Sequence, residues 1–351
     1  MKKRTGVMLS LALAAGTLLT ACGKDDKAAD DKKFKVAMVT DTGGVDDKSF
    51  NQSAWEGLQK FGADNKLKSG SDFKYLQSNS PSDYAPNLNK LVRDKYDIVY
   101  GIGFLMENDI KKVADQQPKG KLAIVDTVVD KKNVASIVFK ENEGSFLVGL
   151  IAGMQTKSNK VGFVGGVESP LIKKFENGFK AGVKMANPKA EIMIQYAGDF
   201  NKAEKGLAIA NTFYGKGADI IYHAAGGTGK GIFTEAKNRA KNGKKVWVIG
   251  VDRDQFEEGQ PQGVTLTSMV KRVDIAVQQV SKDTKEGHFP GGKVVEFGLD
   301  KDAVSIAPHK ENVSKDALAK VDEFKKKIKD GELKVPKDDK EYEEFLKTLK
   351  K

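Results

Sequence analysis

The sequence predicts an α/β protein of two doubly wound lobes, each built around a parallel sheet. The chain has 351 residues, the length of about two globular domains at roughly 150 residues each. Hydrophobic residues make up 39% and charged residues 30% of the chain, a composition typical of a folded protein. Short apolar runs alternate with segments of helical periodicity, and this alternation occurs twice along the chain.

The first set of elements predicts an N-terminal lobe over residues 34–142. Continuous apolar runs predict strands at 34–40, 73–77, 97–101, 121–126 and 134–139. Apolar residues at i, i+3 and i+4 predict helices at 49–64, 84–93 and 107–116. Apolar strands joined by helices favour a parallel sheet that is covered on both faces.

The second set predicts a C-terminal lobe over residues 143–271. Its expected strands are 160–164, 192–196, 219–223, 245–252 and 264–269. Its expected helices are 143–156, 170–187, 202–214 and 231–242. The inner face of the first of these helices is predicted to consist of Phe146, Leu147, Leu150, Ile151 and Met154.

The remaining elements are divided between the lobes and a C-terminal segment. A helix at 273–286 places roughly 272–290 with the N-terminal lobe, and a strand at 293–299 is expected to place roughly 291–300 with the C-terminal lobe. Residues 301–351 are interpreted as a helical segment, with a helix at 315–329 capped by Ser314 and another at 339–349. Basic and acidic residues alternate in this segment, which indicates a solvated surface rather than a basic tail.

The N-terminus has the features of a bacterial export signal. A basic start is followed by an apolar run from Val7 to Leu19, which is too short for a comfortable membrane span. The run ends in Leu-Thr-Ala-Cys, which resembles the lipobox, so residues 1–21 are predicted to be a lipoprotein signal peptide and Cys22 the lipidated residue. The alternative is an ordinary signal with a chance cysteine, but Cys22 is the only cysteine in the chain. Residues 22–33 are small or charged and are predicted to be a flexible tether.

The net charge and the residue types exclude several classes of function. Cleavage before Cys22 removes Lys2, Lys3 and Arg4, which lowers the net charge from +11 to +8, and the remaining charge is spread over mixed-charge helices rather than forming a nucleic-acid patch. A single cysteine excludes an intrachain disulfide and a multi-cysteine metal site. We therefore expect no nucleic-acid partner, no metal and no other cofactor.

Polar and glycine residues cluster where the predicted strands end, which is where open α/β sheets bind ligands. Asp41, Asp126 and Asp252 each end a strand; for any one of them capping or solvation is an alternative, but three together favour a site. Phe50 and Phe200 lie in polar loops just beyond strands, where either packing or ligand contact explains an aromatic residue.

No motif of an enzyme stands out. The glycine-rich stretch at 224–231 has alanine and glycine where a Walker A loop needs glycine and Ser or Thr, and it does not match GxGxxG. There is no GxSxG elbow and no thiol nucleophile beyond Cys22. His223 is expected to contact ligand or to pack rather than to act as a general base, and Trp55 and Trp247 are expected in the core.

Five motifs together resemble the basic membrane protein family of lipoproteins. They are the lipobox, Asp46-Asp47-x-x-Phe50-Asn51, the stretch from His223 to Gly229, Gly250-Val-Asp252 and Gly331-Glu-Leu-Lys-Val-Pro336. The resemblance covers about residues 34–336. It implies the type I periplasmic-binding-protein fold, two α/β lobes joined by a hinge, in agreement with the two sets of strands.

The resemblance also implies a purine nucleoside site. It assigns base stacking to Phe50 and, on the other lobe, to Phe200. It assigns base contacts to Asn51 and Asp126, and ribose contact to Asp252 with Lys271 close to it. The remaining implied ligand-binding residues are Asp41, Gly226 and Gly227.

The expected function is therefore capture of nucleosides on the extracytoplasmic face of the cell membrane and their delivery to the permease and ATPase subunits of an ABC importer. The protein is expected to be a lipid-anchored monomer and not an enzyme. Two alternatives remain at this stage: a ligand-sensing or adhesive surface lipoprotein that uses the same fold without transport, and an enzyme such as a nucleoside hydrolase.

Overall fold

A computed structural model describes residues 33–349 of the chain. From Phe34 onward the chain forms a unit of its own. The predicted signal peptide, the predicted lipidation site Cys22 and the predicted tether as far as residue 32 lie outside the described residues.

The strands and helices alternate as the sequence pattern predicts. The strands are β1 (Val36–Val39), β2 (Phe73–Leu76), β3 (Ile98–Ile102), β4 (Leu122–Val125), β5 (Val134–Phe139), β6 (Lys160–Gly165), β7 (Glu191–Tyr196), β8 (Ile220–Ala224), β9 (Trp247–Asp252), β10 (Thr265–Lys271), β11 (Val294–Phe297) and β12 (Val304–Ile306). The helices are α1 (Phe50–Asp64), α2 (Tyr84–Arg93), α3 (Glu107–Gln116), α4 (Glu141–Gln155), α5 (Pro170–Ala186), α6 (Ala203–Gly215), α7 (Gly229–Lys241), α8 (Val273–Lys285), α9 (Lys315–Lys329) and α10 (Asp339–Thr348).

These elements form two six-stranded sheets. The first has the order β11-β5-β4-β3-β1-β2 and is parallel throughout. The second has the order β12-β10-β9-β8-β6-β7 and is parallel except for β12, which pairs antiparallel with β10. Helices cover both faces of parallel sheets because every apolar strand residue must be buried. The two-lobe α/β architecture predicted from the sequence is confirmed.

The chain passes between the lobes three times. It leaves the first lobe after β5, as the packing of the next helix, α4, against α5 of the second lobe shows. It returns after β10, as the packing of α8 against α1 of the first lobe shows. It leaves again between β11 and β12. These three connections form the hinge.

The helices α4 and α5 pack unusually closely, and glycine permits it. A Cβ on Gly182 would lie 2.1 Å from the carbonyl oxygen of Phe146, a distance that forces the helices apart. The predicted inner face of α4 is buried at Phe146, Leu147, Leu150 and Ile151, but Met154 is 37% exposed. The prediction was wrong there because α4 ends one residue later, at Gln155.

Two assignments at the end of the chain require correction. The predicted strand at 293–299 exists as β11, but it pairs with β5 of the first sheet, not with the C-terminal lobe. The physical reason is its connection: α8 packs on the first sheet, so the strand that follows it joins the nearest free edge. Residues 301–351 are not purely helical, because β12 adds an edge strand to the second sheet. The helix capped by Ser314 forms as predicted, with the Ser314 hydroxyl accepting from the Ala317 amide, and α9 and α10 pack on α4 and α5.

Candidate functional site

A cleft between the lobes collects the strand ends. Its atom-free space, including the open mouth, is about 530 Å³. Eight of the predicted binding residues line it: Asp41, Phe50, Asn51, Asp126, Phe200, Gly226, Asp252 and Lys271. The structure does not place the ninth, Gly227, among the lining residues.

On the first lobe, Asp41 is fixed by Asn51. The Asn51 Nδ2 donates to Asp41 Oδ1 at 2.7 Å and to Asp47 Oδ2 at 3.0 Å, and the Gly43 amide also donates to Asp41 Oδ1. Burial raises the pKa of Asp41 to about 6, although its bonds with Asn51 and Gly43 oppose the rise. Both amide hydrogens of Asn51 are thus used to position carboxylates.

Asp47 also lines the cleft, although the sequence analysis quoted it only as part of a motif and did not name it as a binding residue. Its carboxylate accepts from the backbone amides of Ser49, Asn51 and Gln52 at 2.8–3.1 Å. These amides belong to the N-cap residue Ser49 and to the first turn of α1, where N–H groups lack intrahelical partners. An aspartate shortly before an apolar-periodic segment is a capping signal that the sequence offered. By holding this turn, Asp47 fixes Phe50 and Asn51.

On the second lobe, Asp252 ends β9 with a left-handed backbone (φ 64°). Ser49 of the first lobe donates its hydroxyl to Asp252 Oδ2. Burial raises the pKa of Asp252 to about 7, against the opposing effects of Lys271 and Ser49. Asp252 lines the cleft, and among the described residues the side-chain hydrogen bond it accepts goes to Oδ2 and not to Oδ1.

At the hinge end of the cleft a buried ammonium lies among carboxylates. Lys271 Nζ is 2.6 Å from both oxygens of Asp126 and 3.3 Å from Glu141 Oε1, and the Lys271 side chain is 1% exposed. Burial lowers the pKa of Lys271, but Asp126, Glu141 and Asp252 outweigh this effect and raise it. Lys271 therefore stays charged. Glu141 was missed because it is the first residue of α4, just after a chain crossing that the sequence pattern does not mark.

Aromatic rings line the cleft from both lobes. Phe50 lies on the first lobe beside Lys271, whose Nζ is 5.1 Å from the ring centroid. Phe200 lies on the second lobe against Gly166, where a Cβ would approach its ring to 2.2 Å. Phe104, which the sequence reasoning missed, meets Phe200 edge to face with ring centroids 6.1 Å apart. Phe175 also lines the cleft and was missed because it lies on α5 at a position indistinguishable from core.

His223 packs and does not line the cleft. It is fully buried, and its Nε2 is 3.1 Å from Gln255 Oε1. That oxygen also accepts from the Val251 amide, so we assign the imidazole proton to Nε2. Burial lowers the pKa of His223 to about 4, so the ring is neutral. Trp55 and Trp247 were expected in the core; both are half-buried and pack at its edge.

The cleft combines a mainly apolar, aromatic lining with a few buried carboxylates. Its carboxylates accept hydrogen bonds, and its rings provide flat apolar surfaces, so it suits a planar ring that carries N–H or O–H donors. In the described part of the chain, no group of His, Cys, Asp and Glu has the geometry of a metal site. None of the helices in residues 33–349 has the length and apolar character to cross a bilayer.

Comparison with known proteins gives a consistent result. Residues 34–339 match the Bmp family model, described as "ABC transporter substrate-binding protein PnrA-like". The chain is 57% identical to a "CD4+ T-cell-stimulating antigen" of Listeria innocua, over 96% of this chain and 99% of that protein. It is 42% identical to the "ABC transporter nucleoside-binding protein BmpA" of Lactococcus lactis, with the same coverage. Among solved structures, an ABC transporter solute-binding protein of Aeropyrum pernix superposes with a TM-score of 0.79 at 28% identity, covering 90% of this chain and 97% of that one.

Proposed function

Because the chain belongs to the Bmp family of ABC transporter substrate-binding proteins, we propose that its ligand is a purine nucleoside. The observation that carries this proposal is the combination of aromatic rings from both lobes with buried carboxylates in one cleft. The base of a purine nucleoside offers two π-faces and a polar edge, and the ribose offers hydroxyl donors. The relative from Lactococcus lactis, which is named as nucleoside-binding, supports the same ligand class.

In this proposal Asp252 binds the ribose. Ser49 occupies Oδ2, so Oδ1 accepts from the ribose hydroxyls. A hydrogen bond to an ionised carboxylate contributes roughly 1.5–3 kcal/mol. A free base makes no such bond and leaves Asp252 buried without its ligand donor, so it binds more weakly than the nucleoside.

The base lies between Phe50 and Phe200. Each ring stack contributes about 0.5–1.5 kcal/mol beyond the burial of apolar area. Asp41 and Asp126 offer acceptors to the polar edge of the purine, and Asn51 acts chiefly by positioning Asp41.

Calorimetry tests the ligand. The purified protein is titrated with adenosine, guanosine and inosine, and in parallel with free adenine and with the 2′-deoxynucleosides. We expect heat with the three ribonucleosides, weaker binding of the deoxynucleosides and the weakest binding of adenine. Absence of heat with all three ribonucleosides contradicts the proposal, and equal affinity for adenine and adenosine contradicts the ribose assignment.

We also propose that Cys22 carries the lipid anchor that holds the protein on the extracytoplasmic face beside its importer. Two or more acyl chains hold a protein firmly at a bilayer. Radiolabelled palmitate fed to cells that produce the full chain should label the wild type and not Cys22→Ala. Equal labelling of the two proteins contradicts the anchor without affecting the ligand assignment.

A further inference from the structure

The end of β9 and the loop that follows it contact the first lobe through three residues. Asp252 accepts from the Ser49 hydroxyl, Arg253 pairs with Glu56, and the Gln255 Nε2 donates to the Lys48 carbonyl at 2.9 Å. The partners Lys48, Ser49 and Glu56 lie in the first turns of α1 and just before it. Two short segments, one from each lobe, are therefore joined by a side-chain contact at each of three points.

Hydrogen bonds hold the loop to its own lobe. Gln255 Oε1 accepts from the Val251 amide at 2.9 Å, and the Gln255 amide donates to Ser268 Oγ at 3.0 Å. The opposite partner is also held, because the Asp47 carboxylate fixes the first turn of α1. Lys48 has a left-handed backbone (φ 62°), an unfavourable conformation for a lysine, and its carbonyl is the acceptor for Gln255. Because each segment is hydrogen-bonded to its own lobe, a contact between the two segments also holds the two lobes together.

The Glu56–Arg253 pair lies outside the cleft. Arg253 donates from Nε at 3.0 Å and from Nη2 at 2.7 Å to the two oxygens of Glu56. Neither residue lines the cleft. The Arg253 side chain is 25% exposed and the Glu56 side chain is 41% exposed, so the pair remains partly accessible to solvent and salt.

We infer that residues 252–255 form an interlobe clasp in which Glu56 and Arg253 strengthen ligand binding without touching the ligand. A contact that exists only between approached lobes stabilises the closed state and not the open one. The apparent affinity of a ligand that binds the closed state rises with the fraction of closed protein. The effect on affinity rests on the proposed nucleoside function, whereas the effect on lobe closure does not.

The test compares Arg253→Gln and Glu56→Gln with a control on the same helix, Asp64→Asn, which removes an exposed carboxylate paired with Lys60 within the first lobe. We expect adenosine to bind about two- to fivefold more weakly to each clasp variant, chiefly through faster dissociation, as for a partly exposed ion pair. The double variant should lose no more than the larger single loss, because both changes remove one contact. The difference from wild type should shrink in 1 M salt.

A second readout needs no ligand. In hydrogen exchange of the protein without nucleoside, the amides of 46–52 and 252–256 should exchange faster in the clasp variants and not in Asp64→Asn. If both clasp variants match the wild type in exchange and in dissociation rate, the clasp is wrong. If the wild type binds no nucleoside, the proposed function fails, and hydrogen exchange still decides on the clasp.

Discussion

Asp126 and Asp252 occupy equivalent positions in the two lobes and differ in their surroundings. Each lies at the carboxyl end of a parallel strand, each has a buried side chain, and each has a left-handed backbone, with φ of 75° and 64°. Asp126 at the hinge is paired with the Lys271 ammonium, whereas Asp252 accepts from the neutral hydroxyl of Ser49. A carboxylate beside a cation is stabilised in its charged form, but a carboxylate beside a hydroxyl remains costly to ionise. The Lys271–Asp126 ion pair thus joins the two lobes at the hinge end, and in the proposed function Asp252 is the carboxylate that binds the ribose.

Lys271→Met should have the largest effect, because it removes the cation from the hinge end. Asp126 and Glu141 are then buried without it, and breaking a buried ion pair in this way destabilises by about 3–5 kcal/mol. We expect the free energy of unfolding in urea to fall by that amount, and nucleoside binding to be lost. Lys174→Met is the matched control, because Lys174 bonds Glu141 at 3.0 Å from a position that is 27% exposed. An equal loss in the two variants would contradict the special role of Lys271.

Asp252→Asn should separate binding from stability. Asparagine retains an oxygen that can accept from Ser49 but removes the charge, so nucleoside affinity should fall by about 1.5–3 kcal/mol, roughly 10- to 150-fold. The unliganded protein should be at least as stable as the wild type, because burial disfavours the ionised carboxylate. Calorimetry and thermal unfolding measure the two effects. Asp254→Asn is the control, since Asp254 follows Asp252 closely in the chain but bonds His309 outside the cleft. If the two variants lost similar nucleoside affinity, that result would argue against a ribose contact at Asp252.

The pH dependence should differ in sign between ligand binding and stability. Burial raises the pKa of Asp252 to about 7 and of Asp41 to about 6. Nucleoside affinity should therefore fall as the pH drops below 7, because the ligand binds the ionised carboxylates. For each carboxylate that must lose its proton before binding, the affinity falls by at most about tenfold per pH unit. Both folded pKa values exceed the unfolded value of about 3.9. The native state therefore binds more protons between pH 4 and 7, and the stability from these two groups is present at low pH and is lost as pH rises through 6 and 7. Subtracting the profile of Asp252→Asn isolates the Asp252 part; a difference profile that is flat between pH 4 and 8 would contradict the assignment.

Phe200→Leu should have the smallest effect of the four. Leucine keeps an apolar side chain but loses the stacked ring, so the affinity for adenosine should fall by about 0.5–1.5 kcal/mol, roughly two- to tenfold. Phe256→Leu provides the comparison, since Phe256 stacks on His309, with ring centroids 4.3 Å apart, away from the cleft. If the Phe256 variant weakens binding as much as the Phe200 variant, Phe200 is not the stacking residue.

The sequence predicted most of what depends on local pattern. The helices α2, α3 and α9 have the predicted bounds, because their apolar spacing and end signals agree. Asp41, Asp126 and Asp252 were expected to mark a site, because open α/β sheets bind ligands beyond the carboxyl ends of their strands.

What the sequence did not reveal depends on contacts between distant segments. Ser49 reaches Asp252 across 203 positions, and Lys271 reaches Asp126 across 145. Phe104 and Phe175 follow ordinary apolar spacing and become wall residues only when the lobes face each other. The edge strands β11 and β12 are short, so their pairing is decided by where α8 and the hinge deliver the chain.

The triple passage of the chain between the lobes has a consequence for biosynthesis. The first sheet lacks its β11 edge, and α1 lacks its neighbour α8, until the chain has been made as far as Phe297. Domains usually fold in order of synthesis, the N-terminal one first, but here the N-terminal lobe is completed only after nearly all of the second lobe has been made. The first sheet can therefore reach its full six strands only late in synthesis, because the edge strand that completes it lies near the C-terminal end of the described residues.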